Sequence, residues 1–161
     1  MASIHAEASE IIHASPERVY AVLADYHEGH PRILPPEFFS RLEVEQGGRG
    51  AGTVIRVHAR GFGKEQVYHL VVSEPEPGRV LVEEDAEAGV VTTFTVTPVD
   101  GGRQSRVRIR TEWQPKPGLA GLVERLLNPA VAPLVFRKEL RRLAELLLAE
   151  DGADTPSMPA T

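Results

Sequence analysis

Two histidines stand at a spacing that can serve metal chemistry. His27 and His30 are three residues apart, and two imidazoles on one helical turn can share a metal ion. Gly29 and Pro31 disfavour a helix there, and no third ligand stands at a recognised metal-site spacing. We therefore expect no metal, and we expect these histidines to lie on a loop.

A run of acids ends a predicted strand that begins at Val80. Alternation along a regular strand turns either Glu83 or Glu84 toward the inner face, and Asp85 follows them. A carboxylate that faces an apolar cavity has a raised pKa and can act as a general acid or base. The alternative is that this strand end is exposed to solvent.

Other catalytic chemistries are disfavoured by what the sequence lacks. It has no cysteine, which excludes disulfides, thiolate zinc sites and thiol nucleophiles. It has no nucleophile elbow, zincin motif or dinucleotide fingerprint. The glycine-rich stretch Gly47–Gly52 lacks the Gly-Lys-Ser/Thr of a phosphate loop, and we interpret it as a flexible hairpin. We expect no cofactor.

Composition indicates one globular domain and disfavours nucleic acid as a partner. The 161 residues are 42% hydrophobic and 25% charged, with a net charge of −5 that repels nucleic acid and anionic membranes. Arg106, Arg108 and Arg110 alternate with other residues and predict a solvated outer strand face. Without a long apolar run or a signal peptide, we expect a cytoplasmic location and no membrane insertion.

The elements that position these residues begin with a strand and a helix. Alternation over Ser3–His13 predicts a strand, and Ser15-Pro16-Glu17 predicts a helix start. From Phe38 to Trp113, alternating runs separated by glycine and proline predict an antiparallel meander. The predicted strands are Phe39–Glu45, Thr53–Arg60, Glu65–Ser73, Val80–Asp85, Val90–Val99 and Ser105–Trp113.

The C-terminal part has helical spacing from Leu119 to Ala149. A straight helix of that length spans about 46 Å, which is long for a domain with a radius of gyration of about 15 Å. We expect Asn128-Pro129 and Pro133 to break or kink it. One domain is therefore predicted over residues 1–150, followed by a disordered tail over 151–161.

Several motifs add to this order of elements. The segment from Ile12 to Tyr20, IHASPERVY, is a predicted strand end followed by a small-x-Pro-Glu-x-Val-aromatic helix start, and two further segments, Gly50–Thr53 and Glu74–Leu81, resemble a family's second hairpin and its proline turn. Together they resemble the helix-grip fold of the START-like and birch-pollen-allergen-like (SRPBCC) superfamily, which includes bacterial polyketide cyclase/dehydrase-like proteins. The resemblance covers Ser3 to Glu150.

The resemblance implies an α+β fold in which a curved, seven-stranded antiparallel sheet wraps around a long C-terminal helix, with two short helices after the first strand. It also implies a cavity between sheet and helix for a sterol, polyketide, lipid or other apolar ligand. One Trp, three Tyr and five Phe are few large side chains for that concavity, which favours a partly hollow core. The alternative is that Leu, Val and Ile fill it completely.

Strand and helix periodicity predicts which side chains line the cavity. The resemblance places Tyr26 and His30 at its entrance, where we expect them to contact a ligand. If the protein is an enzyme, Tyr26, His30 and Glu84 are the candidate catalytic residues, by placement and by exclusion. The predicted inward-facing set is Ile55, Val57, Tyr68, Leu70, Thr92, Phe94, Trp113, Leu126 and Val135.

The strand over residues 65–73 is apolar on both faces, because Val67 and Val71 alternate with Tyr68 and Leu70. The second apolar face predicts either a dimer surface or contact with the first helices. Monomer and homodimer therefore both stay open.

Three functions are compatible with these observations. The leading one is binding or transport of an apolar or aromatic small molecule in the cavity. The alternative is a polyketide cyclase/dehydratase-like enzyme that uses one cavity acid or base. A third is a protein-interaction module like the helix-grip co-chaperones. The content of the cavity distinguishes them. A convergent acid/base pair favours the enzyme, and a cavity without ionisable groups favours the binding protein. The absence of any accessible volume favours the interaction module.

Overall fold

The chain forms seven strands and three α-helices over the residues that the computed structural model describes, which are 3–61, 63–115 and 117–153, without the side chains of 119–128. A short 3₁₀ turn, Asp100–Gly102, separates the last two strands. In chain order the elements are β1 (Ile4–Ile12), α1 (Pro16–Ala24), α2 (His30–Ile33), β2 (Phe39–Gln46), β3 (Val54–Gly61), β4 (Lys64–Glu76), β5 (Val80–Asp85), β6 (Val90–Val99), β7 (Gln104–Trp113) and α3 (Leu119–Ala153).

The strands form one antiparallel sheet in the order β1-β7-β6-β5-β4-β3-β2. From β2 to β7 each strand pairs with the next one along the chain, because short turns return the chain beside itself. β1 pairs with β7 over its whole length, with Ile4 opposite Trp113 and Ile12 opposite Ser105. The predicted meander and the helix-grip α+β class are confirmed. The largest boundary difference is in β4, which runs beyond the predicted Ser73 to Glu76.

α1 begins where the sequence predicts. The Ser15 hydroxyl accepts a hydrogen bond from the Arg18 N–H at 3.5 Å, and Pro16 occupies the first turn, where its missing N–H costs no helical bond. The stripe that α1 buries against the sheet consists of Val19, Tyr20, Val22 and Leu23.

α3 is one continuous helix, so the break expected at Asn128-Pro129 and Pro133 is wrong, whereas a kink there stays a prediction. A proline removes one backbone donor, and the carbonyl it leaves unbonded needs another partner. Pro129 is exposed and Pro133 is half-buried, so solvent reaches this stretch. The helix therefore continues through both prolines. Farther along, its inner side packs into the core through Phe136, Leu140, Leu143 and Leu147.

The C-terminal end of α3 lies beside α1. Arg18 forms ion pairs with Glu150 at 3.7 Å and with Asp151 at 2.7 Å. α3 ends at Ala153, so the first three residues of the predicted tail are helical. The rest of that tail, 154–161, lies outside the described residues, and its disorder stays a prediction.

The second apolar face of β4 points to the outside of the sheet. Val67 and Val71 are 47% and 54% exposed. The expectation that they meet the first helices is therefore wrong, because α1 packs on the other face of the sheet. A dimer surface there stays a prediction. None of the helices in the described ranges is long and apolar enough to span a membrane.

Candidate functional site

The inner face of the sheet carries a row of polar side chains within an apolar surface. Glu83 on β5 lies opposite Thr92 on β6, and Thr92 lies opposite Thr111 on β7. The hydroxyl oxygens of Thr92 and Thr111 are hydrogen-bonded at 2.8 Å. Glu83 is only 6% exposed. Strand register thus brings a carboxyl group to the middle of the concave face.

Glu83, rather than Glu84, is the acid that points inward. Leu81 is buried in the core, and the period of two along β5 carries Glu83 and Asp85 to the same face. Glu84 is exposed on the outer face, opposite Val71. The expected placement of Glu84 in the cavity is corrected accordingly. Asp85 is buried but serves the adjoining turn, where its carboxylate accepts the Ala88 N–H at 2.8 Å.

Tyr26 and His30 reach Glu83 from the segment between α1 and α2. The Tyr26 hydroxyl donates to Glu83 Oε1 at 2.7 Å, and His30 Nε2 lies 3.4 Å from the same oxygen. The Tyr26 and His30 rings stack with their centroids 4.7 Å apart, and both residues are almost fully buried. Phe94 packs its ring edge-on against His30 at 5.4 Å. The structure therefore brings the two predicted polar residues together on one carboxylate.

Hydrogen-bond geometry indicates where the protons lie. His30 Nδ1 is 2.8 Å from the Leu23 carbonyl oxygen, which can only accept, so Nδ1 carries a proton. His30 Nε2 faces Glu83 Oε1, and this contact is favourable only with a proton between the two atoms. Because Tyr26 also donates to Oε1, two side chains converge on a single oxygen of Glu83. Burial and the Glu83 charge raise the pKa of the Tyr26 phenol above its usual range.

The segment from Asp25 to His30 is shaped by local hydrogen bonds. The Asp25 carboxylate accepts the N–H groups two and three residues ahead at 3.1 and 3.2 Å, and its carbonyl accepts the His30 N–H at 2.7 Å. Gly29 lies so close to α1 that a Cβ there would be 2.5 Å from the Val22 carbonyl oxygen. The expectation that both histidines lie on a loop is wrong for His30, which begins α2, where Pro31 in the first turn costs no helical bond, and which is buried. His27 is exposed, so the two histidines do not converge.

The glycine-rich loop Gly47–Gly52 holds this segment in place. It joins β2 and β3 as predicted, but the Gly48 carbonyl accepts the Tyr26 N–H at 2.8 Å, and the Gly50 N–H donates to the Ala24 carbonyl at 2.9 Å. Glycine is needed at Gly50, where φ is +59°. The interpretation as a flexible hairpin is therefore corrected, because the loop is fastened to the backbone that carries Tyr26.

α3 contributes a fourth titratable side chain, which the sequence analysis missed. Glu139 is 5% exposed and lies on the apolar stripe of α3, three residues after Phe136 and four before Leu143. Burial, and secondly the charge of Glu83, raise the pKa of Glu139 well above its usual range. The position of an acid within the apolar stripe was the available sequence signal.

Glu139 has no hydrogen-bond or ion-pair partner among the described side chains. In the same part of the chain, every polar side-chain atom that is sealed from solvent does have a hydrogen-bond partner. The Glu139 oxygens are therefore not sealed, and they border space that solvent can enter. Glu139 joins Tyr26, His30 and Glu83 in a cluster of titratable groups, called here the acid cluster, and it is the member that the other three do not bond.

The apolar residues predicted to line a cavity fall into two groups. The deeper group is close-packed in the core, where its side chains are between 0% and 9% exposed. At that end of the concave face, apolar side chains therefore fill the space completely. Tyr68, Thr92 and Trp113 face inward but are only half-buried, as are Leu42 and Val44 on the outer strand β2. Leu126 lies outside the described side chains. The deeper group consists of Ile55, Val57, Leu70, Phe94 and Val135.

Two open grooves formed by described residues lie away from the concave face. One, of about 590 Å³, runs between α1 and the turns at one end of the sheet and includes Tyr20, Arg79 and Pro98. The other, of about 280 Å³, lies between α1 and the end of α3 and includes Arg18 and Glu150. Neither groove is lined by the predicted ligand residues.

Comparison with known proteins agrees with this architecture. The KanY protein, solved by NMR, is 27% identical, covers 92% of this chain and 99% of its own, and superposes with a TM-score of 0.78. The TTHA0849 protein of Thermus thermophilus is 25% identical, with 91% of this chain and 98% of its own chain aligned, and superposes with a TM-score of 0.71. The Zhui aromatase/cyclase of a Streptomyces species is 16% identical, with 99% of this chain and 100% of its own chain aligned, and shares the fold with a TM-score of 0.65.

Family comparison covers nearly the whole domain. No curated protein sequence matches the chain. Residues 3–148 match the family described as polyketide cyclase / dehydrase and lipid transport. That range includes the helix start at Ser15, all seven strands and most of α3. The chain therefore belongs to the polyketide cyclase/dehydrase and lipid transport family, within the helix-grip superfamily.

Proposed function

We propose that the protein binds a small, largely apolar or aromatic molecule at the concave face, between the sheet and α3. One observation carries this proposal: Tyr68 and Trp113 face inward from the sheet but are incompletely covered, and the acid cluster adjoins the same face. Burial of apolar ligand surface supplies affinity at about 25 cal/mol per Å², and a few polar groups then fix orientation. The family to which the chain belongs supports this function, since its description includes lipid transport.

Binding is tested by isothermal titration calorimetry with 2-naphthalenemethanol, an aromatic probe with one neutral polar group. We expect saturable binding at one site per chain. Tyr68→Ala should weaken binding by about tenfold, because it removes an aromatic wall worth roughly one such factor. Val67→Ala is the matched control, because this neighbouring side chain points away from the site and is 47% exposed. An absence of saturable binding, or equal losses in both variants, would contradict the proposal.

A second function, acid–base catalysis of the cyclase or dehydratase type, is favoured by the Coulomb interaction between Glu83 and Glu139. Two interacting carboxyl groups can supply a base and an acid in one site. On an identified substrate, Glu83→Gln and Glu139→Gln should each reduce turnover by about 10² to 10⁴-fold. Glu84→Gln, which alters the exposed neighbour, should leave turnover unchanged. Full turnover in both inward variants would exclude this function.

A further inference from the structure

We infer that the concave-face site selects ligands with a basic nitrogen, so that the preferred ligand is an apolar or aromatic amine whose ammonium group pairs with Glu139. This inference rests on the proposed ligand-binding function and names its ligand class. Three observations support it: Glu139 is buried without a described partner, Glu83 disfavours a negative charge at Glu139, and both ring nitrogens of His30 already have partners.

The first step concerns the unpartnered carboxyl group. A buried carboxyl group without a hydrogen-bond partner is unfavourable, and native proteins rarely retain one. Glu139 is 5% exposed, and no described side chain bonds to it. The three other members of the acid cluster are bonded to one another, through Glu83 Oε1. Glu139 is thus the member that no described side chain bonds, and a ligand in the adjoining space can supply its partner.

The second step concerns the sign of that partner's charge. Glu83 disfavours a negative charge at Glu139. By the same Coulomb interaction, Glu83 favours a positive charge placed beside Glu139. An ammonium group there would face two carboxylates. An anionic ligand would meet repulsion from the same pair.

The third step is that none of the described side chains supplies a free buried cation. His30 contacts the Leu23 carbonyl through Nδ1 and Glu83 through Nε2, so both of its ring nitrogens already have partners. None of the buried charged residues in the described part of the chain is a lysine or an arginine. Lys138 and Arg142, on the same helix as Glu139, point outward and bond to Glu37 and to a backbone carbonyl.

The proton balance of binding is simple. An amine that arrives as R–NH₃⁺ pairs with the Glu139 carboxylate, and the carboxyl proton leaves to solvent. An amine that arrives neutral takes that proton on its nitrogen lone pair, and the product is the same ion pair. Glu83 on β5 is the charged group that acts on Glu139, and Tyr26 after α1 and His30 in α2 both contact Glu83. The N–H···O bonds formed are charge-assisted and therefore stronger than neutral ones.

The test compares three probes that share one naphthalene ring: 2-naphthylmethylamine, 2-naphthalenemethanol and 2-naphthoate. Affinities are measured by calorimetry in two buffers of different ionisation enthalpy, which also counts protons released. We expect the amine to bind about 10- to 100-fold more tightly than the alcohol, and the naphthoate to bind most weakly. Binding of the amine should release up to one proton per chain.

Variants assign the preference to Glu139. Glu139→Gln should reduce the amine-to-alcohol ratio to about one and abolish proton release, while Glu84→Gln should keep both. The ratio measured on the unaltered protein tests the inference without any variant. If the alcohol binds as tightly as the amine, or if the preference survives Glu139→Gln, the inference is wrong and the proposed function stands. If none of the probes binds, both are wrong.

Discussion

Replacing Glu139 by glutamine should make the protein more stable at neutral pH, by an amount that grows with pH. The folded state raises the pKa of this carboxyl group, so it holds the proton to a higher pH than the unfolded chain does. Between the two pKa values the unfolded chain binds one proton fewer, and the free energy of unfolding falls as pH rises. Glutamine cannot ionise, so the Glu139→Gln variant does not undergo this fall in the free energy of unfolding.

The expected magnitude follows from one proton. The difference in unfolding free energy between Glu139→Gln and the unaltered protein should grow by up to about 1.4 kcal/mol per pH unit above roughly pH 4.5. Urea denaturation at pH 4.5, 5.5, 6.5 and 7.5 measures it, with equal denaturant slopes as the check that the same transition is compared. The growth should stop at the folded-state pKa of Glu139.

Glu84→Gln is the control for this experiment. Glu84 neighbours Glu83 in sequence but is exposed on the outer face, so its substitution should leave the pH profile nearly parallel to that of the unaltered protein. Parallel profiles for Glu139→Gln as well would refute the reasoning, since they would mean that Glu139 ionises alike in the folded and unfolded chains.

Three further stability predictions follow from the core and the site, each measured by urea denaturation. Tyr26→Phe should cost about 1.5–3 kcal/mol, because it removes a buried hydrogen bond to the charged Glu83; a loss below 0.5 kcal/mol would contradict that bond. Leu143→Ala should cost about 2–5 kcal/mol, whereas Leu148→Ala, at a position 58% exposed, should cost less than about 0.5 kcal/mol. Gly29→Ala should cost about 1–3 kcal/mol, because its methyl group collides with the α1 backbone; an unchanged stability would show that the turn can move aside.

Local rules predicted most of the fold. Alternation and turn residues located every strand of the meander, and both ends of Val80–Asp85 and Val90–Val99 agree with the structure. The start of α1 followed from a capping serine and a proline in the first turn. These signals were sufficient because hairpin turns and helix caps depend on residues that are adjacent in sequence.

The candidate site was less predictable because its contacts are distant in sequence. Tyr26 and Glu83 meet only after the sheet has curved beneath α1, and no pattern in either segment specifies that bond. Alternation along β5 left Glu83 and Glu84 both open as the inward acid. Counting in steps of two from Leu81, which is buried, is sufficient to prefer Glu83. The rule that proline breaks a helix failed at Pro129 and Pro133, because solvent exposure of the surrounding backbone decides how much each lost bond costs.

The pairing of β1 with β7 has a consequence for how the molecule assembles. Each hairpin from β2 to β7 closes a short loop, whereas Ile4 reaches Trp113 only by closing about two thirds of the chain on itself. Long closures lose more entropy and are reached more slowly, so the meander should form before the N-terminal strand joins it. α1 follows β1 directly in the chain and packs on β6 and β7, strands of the meander. We therefore expect the acid cluster to be completed after the meander, so that a partly unfolded chain has a sheet before it has a site.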